Sequence, residues 1–290
     1  MRSGRIGRHG ADPRGPDLGI TVHEPSPASG PRIAGGGKRP GGNWCRFIFL
    51  DAEYSSTYFG LMGRLPRPVD EGLIYHALNR GNNRTDVFAE EGDYEAFLQA
   101  LGQTQRRYPF KLFGYCVMTN HFHLLLQPEP GQSISRILQS LTVAHTWRYH
   151  KSHRTSGHVW QGRFKSPVIQ DDEHLLVVLR YIEANPLRAS MVTDTGDYRW
   201  SSYQYHGLGR TNALLSSFPE WERLGRSESE RRRRWRAKVR AAQSEEELQA
   251  VRASIRSGRP LGNASWTEDV AKRLRIDLNR RPRGRPRKEK

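Results

Sequence analysis

The 290-residue sequence predicts an α+β fold, in which helices pack against an antiparallel sheet. Between residues 73 and 184, short apolar runs typical of strands alternate with longer stretches whose apolar residues recur at helical spacing. Two strand-like runs are separated by only two residues, which predicts an antiparallel hairpin. Residues 1–61 contrast with this part, because they contain 12 Gly and 6 Pro and show no sustained periodicity.

The predicted elements follow one another in the order β-α-β-β-α-β-α. This order indicates a ferredoxin-like antiparallel sheet with helices on one face. The expected ranges are a strand at 73–78, a helix at 92–107, strands at 110–118 and 121–127, a helix at 133–153, an extended stretch at 159–169 and an amphipathic helix at 172–184.

The composition of the chain divides it into four parts. Residues 1–61 are expected to be disordered, or to be a wrongly assigned extension upstream of a true start at Met62. Residues 62–210 form the predicted α+β domain. Residues 211–275 are expected to be a basic helical region and a candidate DNA-binding module, with Ser244 and Thr267 as helix caps. Residues 276–290 form a basic tail.

The charge of the chain points to a polyanionic partner. The net charge is +17, and residues 211–290 carry 22 Lys and Arg against 11 Asp and Glu. Nucleic acid is the commonest partner of such a sequence, and a solubilising tail is the alternative. With a mean hydropathy of −0.77 and no long apolar run, the sequence predicts a cytoplasmic protein without a membrane partner. The two cysteines, Cys45 and Cys116, predict neither a disulfide framework nor a cysteine zinc site.

Two histidines lie two residues apart on the predicted strand 121–127. Because residues i and i+2 of a strand face the same side, His121 and His123 can bind one divalent metal ion while Phe122 points into the core. Taken alone, the pattern favours an ordinary pair of hydrogen-bonded strand histidines.

A tyrosine and an asparagine on the last predicted helix supply a context for this pair. Tyr181 and Asn185 are four residues apart and therefore share a helix face. A tyrosine hydroxyl can attack phosphorus, and a carboxamide oxygen one turn away can complete a metal site. The alternative is that Tyr181 is an amphipathic core residue.

Four segments in this order resemble the REP-associated tyrosine transposases, a branch of the single-tyrosine transposases whose metal site is a His-hydrophobe-His (HUH) motif. The resemblance covers about residues 62–210, and GRLPR at 63–67 and NRGN at 79–82 add to it. The four segments are MTNHFHLL (118–125), GRFK (162–165), RYIEANPLRA (180–189) and WSSY (200–203).

The resemblance implies a fold and a chemistry. Members of the family have the HUH fold, cleave single-stranded DNA beside hairpins of palindromic repeats through a 5′-phosphotyrosine intermediate, and use Mg²⁺ or Mn²⁺. Matched by position, Tyr181 takes the place of the nucleophile, and His121, His123 and Asn185 take the places of the metal ligands. The implied function is that of a DNA endonuclease and strand transferase, active in transposition and recombination.

Two further segments have the composition of DNA contacts. Arg163 and Lys165 flank Phe164, and cations beside an aromatic suit a DNA strand, although a solvated strand edge is the alternative. Near the end of the chain, Arg283-Gly284-Arg285 resembles the AT-hook core, which binds the minor groove of A/T-rich duplex DNA. A generic basic tail is the alternative there.

Two other functions remain open for the whole chain. One is a catalytically silent nucleic-acid-binding protein on the same fold. The other is a metal-dependent phosphoesterase in which water attacks and Tyr181 is structural. The sequence leaves the choice between a monomer and a homodimer open, together with the DNA sequence recognised.

Overall fold

The computed structural model describes residues 72–278, and within them the predicted order of elements is confirmed. The elements are β1 (Ile74–Arg80), α1 (Glu91–Arg107), β2 (Phe110–Val117), β3 (His121–Pro128), α2 (Ile134–His153), β4 (Val168–Ile169), α3 (Glu173–Glu183), α4 (Asn185–Arg188), α5 (Tyr203–His206), α6 (Pro219–Glu222), α7 (Glu228–Arg240), α8 (Glu245–Ser257) and α9 (Ala264–Arg273).

The four strands form one antiparallel sheet in the order β2-β3-β1-β4. The predicted extended stretch 159–169 is a strand only at its end, because β4 has two residues. Before β4, the bridges are isolated: Lys165 pairs with Leu78 of β1, and Trp160 pairs with Gly81, just after β1. Gly162, with a φ of +77°, turns the backbone out of the extended conformation between these bridges.

The first face of the sheet packs on α1 and α2. Alternate residues of β3 point to this face, and their apolar side chains contribute to the larger of the two hydrophobic cores, called here the first core. The largest contributors are fully buried: Phe97, Leu101, Phe122, Leu124, Ile137 and Leu141. The packing of α1 and α2 on this face forms the layer of helices that the sequence predicts.

Helices also cover the second face of the sheet. Helix α3 packs on β2 and β3 and buries Leu175, Val178, Leu179 and Ile182. Gly114 of β2 allows the close approach, because a Cβ at this position would collide with Leu179. Helices α6, α7 and α8 then pack on α3, so α3 lies between the sheet and these helices of the C-terminal region.

The last helix begins earlier than the sequence predicts. Helix α9 starts at Ala264, and Asn263 is its N-cap, with its Oδ1 accepting a hydrogen bond from the backbone N–H of Trp266 at 2.9 Å. The prediction of Thr267 as the cap is therefore wrong, because Asn263 offers an equally good capping side chain one turn earlier. The predicted cap Ser244 is confirmed, since its Oγ accepts from the N–H of Glu247 at 3.1 Å. Within residues 72–278, no helix is long and apolar enough to cross a membrane.

Candidate active site

Three histidines lie on the second face of the sheet, two of them where β3 begins and one opposite Leu125. His121 and His123 come from β3, and His76 comes from the neighbouring β1, where Leu78 is the direct partner of His123. His76 and His123 are buried, and His121 is partly exposed. The strand alternation that buries Phe122 in the first core therefore places both imidazoles of the motif on the other side.

A neighbouring side chain orients each histidine of the motif. Nδ1 of His121 lies 2.7 Å from Oδ1 of Asn120, whose Nδ2 donates to the carbonyl of Arg84 at 3.1 Å. Because Asn120 presents its oxygen, Nδ1 of His121 carries the proton, and the lone pair of Nε2 points away from Asn120 as a possible ligand. Nδ1 of His123 lies 2.9 Å from Nε2 of His76.

Burial keeps these imidazoles neutral. Desolvation, together with the nearby charge of Arg80, lowers the pKa of His121 to about 4. Desolvation lowers the pKa of His76 to about 3 and that of His123 well below its usual value. Neutral imidazole is the form that binds a metal ion, so the ligand-competent state predominates at neutral pH.

Tyr181 and Asn185 complete the cluster. The ring centroid of Tyr181 lies 6.0 Å from those of His76 and His123, in an edge-on arrangement. Helix α3 ends at Glu183, as the Asn-Pro pair predicts, so Asn185 lies on the short α4 and not on the helix of Tyr181. Its Nδ2 is nevertheless 3.5 Å from Nε2 of His121. The structure brings His121, His123, Tyr181 and Asn185 together within one chain.

The donor set fits a divalent ion with an open coordination shell. Between residues 72 and 278, no group of three or more His, Cys, Asp and Glu side chains is arranged to hold a metal. The candidate donors are the imidazoles of His121 and His123 and the carboxamide of Asn185. Nε2 of His76 is hydrogen-bonded to His123. The remaining coordination positions would fall to water and to oxygens of a substrate.

A buried carboxylate fixes the helix that carries Tyr181. Glu183 is fully buried, and its Oε1 accepts hydrogen bonds from Ser202 Oγ at 2.5 Å and His206 Nδ1 at 2.6 Å. Its Oε2 accepts from Trp235 Nε1 at 2.7 Å. Three segments distant in sequence thus meet at a residue two positions from Tyr181, which fixes the helix in place.

The C-terminal region contacts the same helix. Arg180 donates to the carbonyl of Ala241 at 2.5 Å, and its Nη1 lies 3.4 Å from Glu247. Gln243 donates to the carbonyl of Val177 at 3.1 Å. The described part of 211–275 therefore does not stand apart as a separate module, but belongs to the same compact unit and supports α3.

The predicted DNA-contact residues occupy the edge near His121. Arg163 and Lys165 are exposed, while Phe164 is partly buried and packs against the first core. Lys165 lies close to Arg80, whose charge contributes with burial to a lowered pKa of the lysine. This forms a cationic edge next to the histidines. Arg283, Gly284 and Arg285 lie outside the described residues, as do residues 1–61.

His76 and Arg188 also belong to the cluster, although neither was predicted from the sequence. His76 is 47 positions from His123 in sequence, and only the pairing register of β1 with β3 brings the two together. Arg188 lies inside the RYIEANPLRA segment, with its guanidinium carbon 4.3 Å from the centroid of the Tyr181 ring. An arginine within a predominantly apolar stretch, Pro186-Leu187-Arg188-Ala189, was the available signal.

Comparison with known proteins identifies relatives of this domain. The family model described as "Transposase IS200 like" matches residues 70–185. A protein of Haemophilus influenzae described as a REP-associated tyrosine transposase is 32% identical over 153 residues, which cover 49% of this chain and 86% of that protein.

Two solved structures also match part of this chain. One is described as a REP-associated tyrosine transposase bound to a REP hairpin; it is 17% identical with a TM-score of 0.43, and the match covers 55% of this chain and 99% of that one. The other is described as a transposase from Deinococcus radiodurans; it is 20% identical with a TM-score of 0.31, and the match covers 42% and 96%. On the strength of the sequence match to the Haemophilus protein, the chain belongs to the family of REP-associated tyrosine transposases.

Proposed function

We propose that this transposase cleaves and rejoins single-stranded DNA through a covalent bond between Tyr181 and a 5′-phosphate. The observation that carries the proposal is the position of the Tyr181 ring, with its centroid 6.0 Å from that of His123 in the same chain. Around it stand neutral imidazoles, a carboxamide and a cationic edge, which together suit a phosphodiester.

In the proposed reaction, the hydroxyl oxygen of Tyr181 attacks a phosphorus atom of the strand and loses its proton. The bond from phosphorus to the 3′-oxygen breaks, and that oxygen takes up a proton to become a free 3′-OH. A 3′-OH that later attacks the phosphotyrosine reverses these steps and joins two strands. The 3′ end of one strand is then joined to the 5′-phosphate of another, which is the chemistry that transposition requires.

We propose that His121, His123 and Asn185 hold a divalent cation, Mg²⁺ or Mn²⁺. Such an ion, when bound, neutralises charge on the scissile phosphate and polarises it. The chain's own contribution is orientation: Asn120 holds the imidazole of His121 through Nδ1, which leaves Nε2 as the unprotonated nitrogen, and the Glu183 contacts hold the helix of Tyr181 in place.

We propose that the substrate is a hairpin formed by a palindromic repeat. The family assignment supports this substrate. The charge of Arg80 acts on both His121 and Lys165, and Arg163 and Lys165 are exposed, so we propose that these three cations contact phosphates. Because Phe164 packs against the core, its proposed role in the interface is to orient its two charged neighbours. All four central residues lie in one chain, so we propose that each monomer contains a complete site.

We propose that Arg283, Gly284 and Arg285 form a second contact, with A/T-rich duplex DNA. Since Ile276 packs against the first core, the test deletes residues 279–290 only. The truncated protein is expected to bind A/T-rich duplex more weakly at low salt and to cleave hairpins at the same rate. Equal duplex binding by the truncated and full-length proteins would exclude this contact.

A cleavage assay tests the proposed reaction. The protein is incubated with Mn²⁺ and hairpin-bearing single-stranded oligonucleotides, and a protein–DNA adduct that survives denaturation is sought. The adduct is expected with the native protein and lost in Tyr181→Phe. The matched control is Tyr149→Phe, because the ring of Tyr149 also lies next to a histidine, with its centroid 4.5 Å from that of His153, and this variant should form the adduct normally.

The same assay separates the two alternative functions. Cleavage that persists in Tyr181→Phe without an adduct would indicate that water is the nucleophile and that the tyrosine is structural. Hairpin binding without any cleavage by the native protein would indicate a catalytically silent DNA-binding protein.

A further inference from the structure

Arg188 lies over the ring of Tyr181, and the proposed reaction leaves its charge without a role. It is the last residue of α4, and its guanidinium carbon lies 4.3 Å from the centroid of the Tyr181 ring. One terminal nitrogen, Nη2, donates a hydrogen bond to the backbone carbonyl of Tyr181. These two contacts fix the guanidinium against the proposed nucleophile.

The other terminal nitrogen of Arg188 is an unpaired donor. Nη1 is buried and has no hydrogen-bond partner among residues 72–278, and no Asp or Glu of this part of the chain forms an ion pair with Arg188. Burial of a charged donor without a counterion is costly. A cost of this kind at a candidate active site indicates that an anion binds there during function.

The surrounding charges make the position still more favourable for an anion. Burial lowers the pKa of Arg188; Tyr181 and Cys116 act in the opposite direction, and the positive charges of Arg252 and Arg180 lower the pKa as well. Arg180 has Glu247 beside it, whereas Arg188 lacks such a neighbour within ion-pair distance in the described chain. A guanidinium stays protonated in proteins, so this excess of positive charge persists at neutral pH.

The guanidinium of Arg188 also lies close enough to His123, a proposed metal ligand, for its charge to act on that imidazole. Its charge contributes to the lowered pKa of His123, and the ring of Tyr181 lies beneath it. An anion bound to Nη1 would therefore lie near both the proposed nucleophile and the proposed metal ligands.

We propose that Arg188 forms a phosphate-binding position of the site, with Nη1 donating to an oxygen of a DNA phosphodiester next to Tyr181. The inference rests on the proposed function, because that function brings a DNA strand to Tyr181. It adds a contact that is independent of the metal ion. The ligand class is a singly charged phosphodiester, for which an arginine fork is well suited.

Arg199 shows what a purely structural arginine looks like in this protein. Its guanidinium carbon lies 4.4 Å from the centroid of the Trp200 ring, much as Arg188 lies over Tyr181. Arg199 is, however, 53% exposed and forms an ion pair with Glu91 at 2.8 Å. Stacking on an aromatic ring therefore does not by itself require an unpaired guanidinium, and Arg199 is a matched control.

The test measures DNA binding in a Tyr181→Phe background, which retains the aromatic ring but forms no adduct. The probes are a hairpin oligonucleotide and a series in which one phosphate at a time beside the cleavage position is replaced by a neutral methylphosphonate. When Arg188 is unchanged in this background, one of these replacements is expected to weaken binding about tenfold or more, as loss of a charge-assisted hydrogen bond predicts.

The expected result is a coupling between residue and phosphate. Arg188→Gln should weaken binding of the unmodified hairpin by a similar factor, and the critical methylphosphonate should then have no further effect. Arg199→Gln should leave both the affinity and the effect of each replacement unchanged. If Arg188→Gln binds within twofold of its parent, or if every replacement still weakens its binding as before, the proposal is wrong.

Arg188→Lys keeps the test valid if Arg188→Gln fails to fold. Lysine retains the charge but not the fork, so it should fold and show a smaller coupling at the same phosphate; full coupling at a different phosphate, or none, would overturn the proposal. The adduct assay on the otherwise native protein is read separately. Its failure would overturn the proposed catalysis, whereas loss of the coupling alone would overturn the role of Arg188.

Discussion

The two faces of the sheet have opposite chemistry although they share the same strands. The first face, toward α1 and α2, is filled with apolar side chains such as Phe122 and Leu124. The second face, toward α3, combines apolar side chains such as Leu125 with three histidines, and His76 lies directly opposite Leu125. His121, Phe122 and His123 alternate between these surroundings within three residues.

The difference shows how one short motif serves both stability and chemistry. Strand alternation directs Phe122 into a core that stabilises the domain, and the same alternation directs the two imidazoles toward Tyr181. The rigid first face supports the second, on which polar groups must be held in a fixed geometry although they contribute little to stability. Substitutions on the two faces should therefore have separable effects.

The largest effect is expected from His121→Ala on the second face. Loss of one proposed metal ligand should slow adduct formation at least about 100-fold, because metal stabilisation of the phosphate is worth several kcal/mol. The free energy of unfolding should change by less than about 1 kcal/mol, since the side chain is partly exposed. Single-turnover rates and urea unfolding of the same preparation measure both quantities. A normal rate with saturating Mn²⁺ would contradict the assignment of His121.

Phe122→Ala, one residue away, should have the converse effect. Phe122 is fully buried and its ring packs against Phe97 and Trp160, with centroids 4.9 and 5.4 Å away. We expect the free energy of unfolding to fall by about 3–5 kcal/mol, while the folded fraction retains its adduct-forming rate at low temperature. Urea unfolding followed by fluorescence measures the loss. A stable but inactive variant would show that the two faces are not separable.

A smaller effect is expected from Trp235→Phe, which removes one hydrogen bond to the helix of Tyr181. The indole N–H bonded to Glu183 is lost, so a buried carboxylate oxygen is left without that donor. We expect a loss of about 1–3 kcal/mol in the free energy of unfolding, together with slower adduct formation.

Trp221→Phe is the control for this variant. Trp221 is buried in the same core and its ring lies 5.9 Å from that of Trp235, but no indole hydrogen bond to Glu183 is present. It should lose stability through packing alone and form the adduct at the native rate. Equal slowing in both variants would show that Glu183 does not position Tyr181.

Much of the fold followed from local sequence patterns. The alternation around Phe122 and the Asn-Pro pair at 185–186 are short-range signals, and the structure bears out the strand and the helix end that they predict. The predicted proximity of His121, His123, Tyr181 and Asn185 came from a resemblance, since no local pattern relates a strand to a helix 60 residues later.

The features that sequence could not supply depend on long-range packing. The contact of His76 with His123 depends on strand register, and the bond of Trp235 to Glu183 depends on how the C-terminal helices fold back onto α3. The region 211–275 is basic in sequence and therefore suggested a separate DNA-binding module. In the structure, several of its arginines are paired internally, for example Arg232 with Glu228 at 2.5 Å and Arg234 with Glu230 at 2.7 Å.

The most direct test of the central claim is to identify the residue that carries the DNA. After reaction with a hairpin oligonucleotide and nuclease treatment, tryptic digestion should release residues 181–188 as one peptide, since Arg180 and Arg188 bound it and Tyr181 is its one tyrosine. Mass spectrometry should find the nucleotide on Tyr181. A nucleotide on any other residue, or strand cleavage without a modified peptide, would contradict the account.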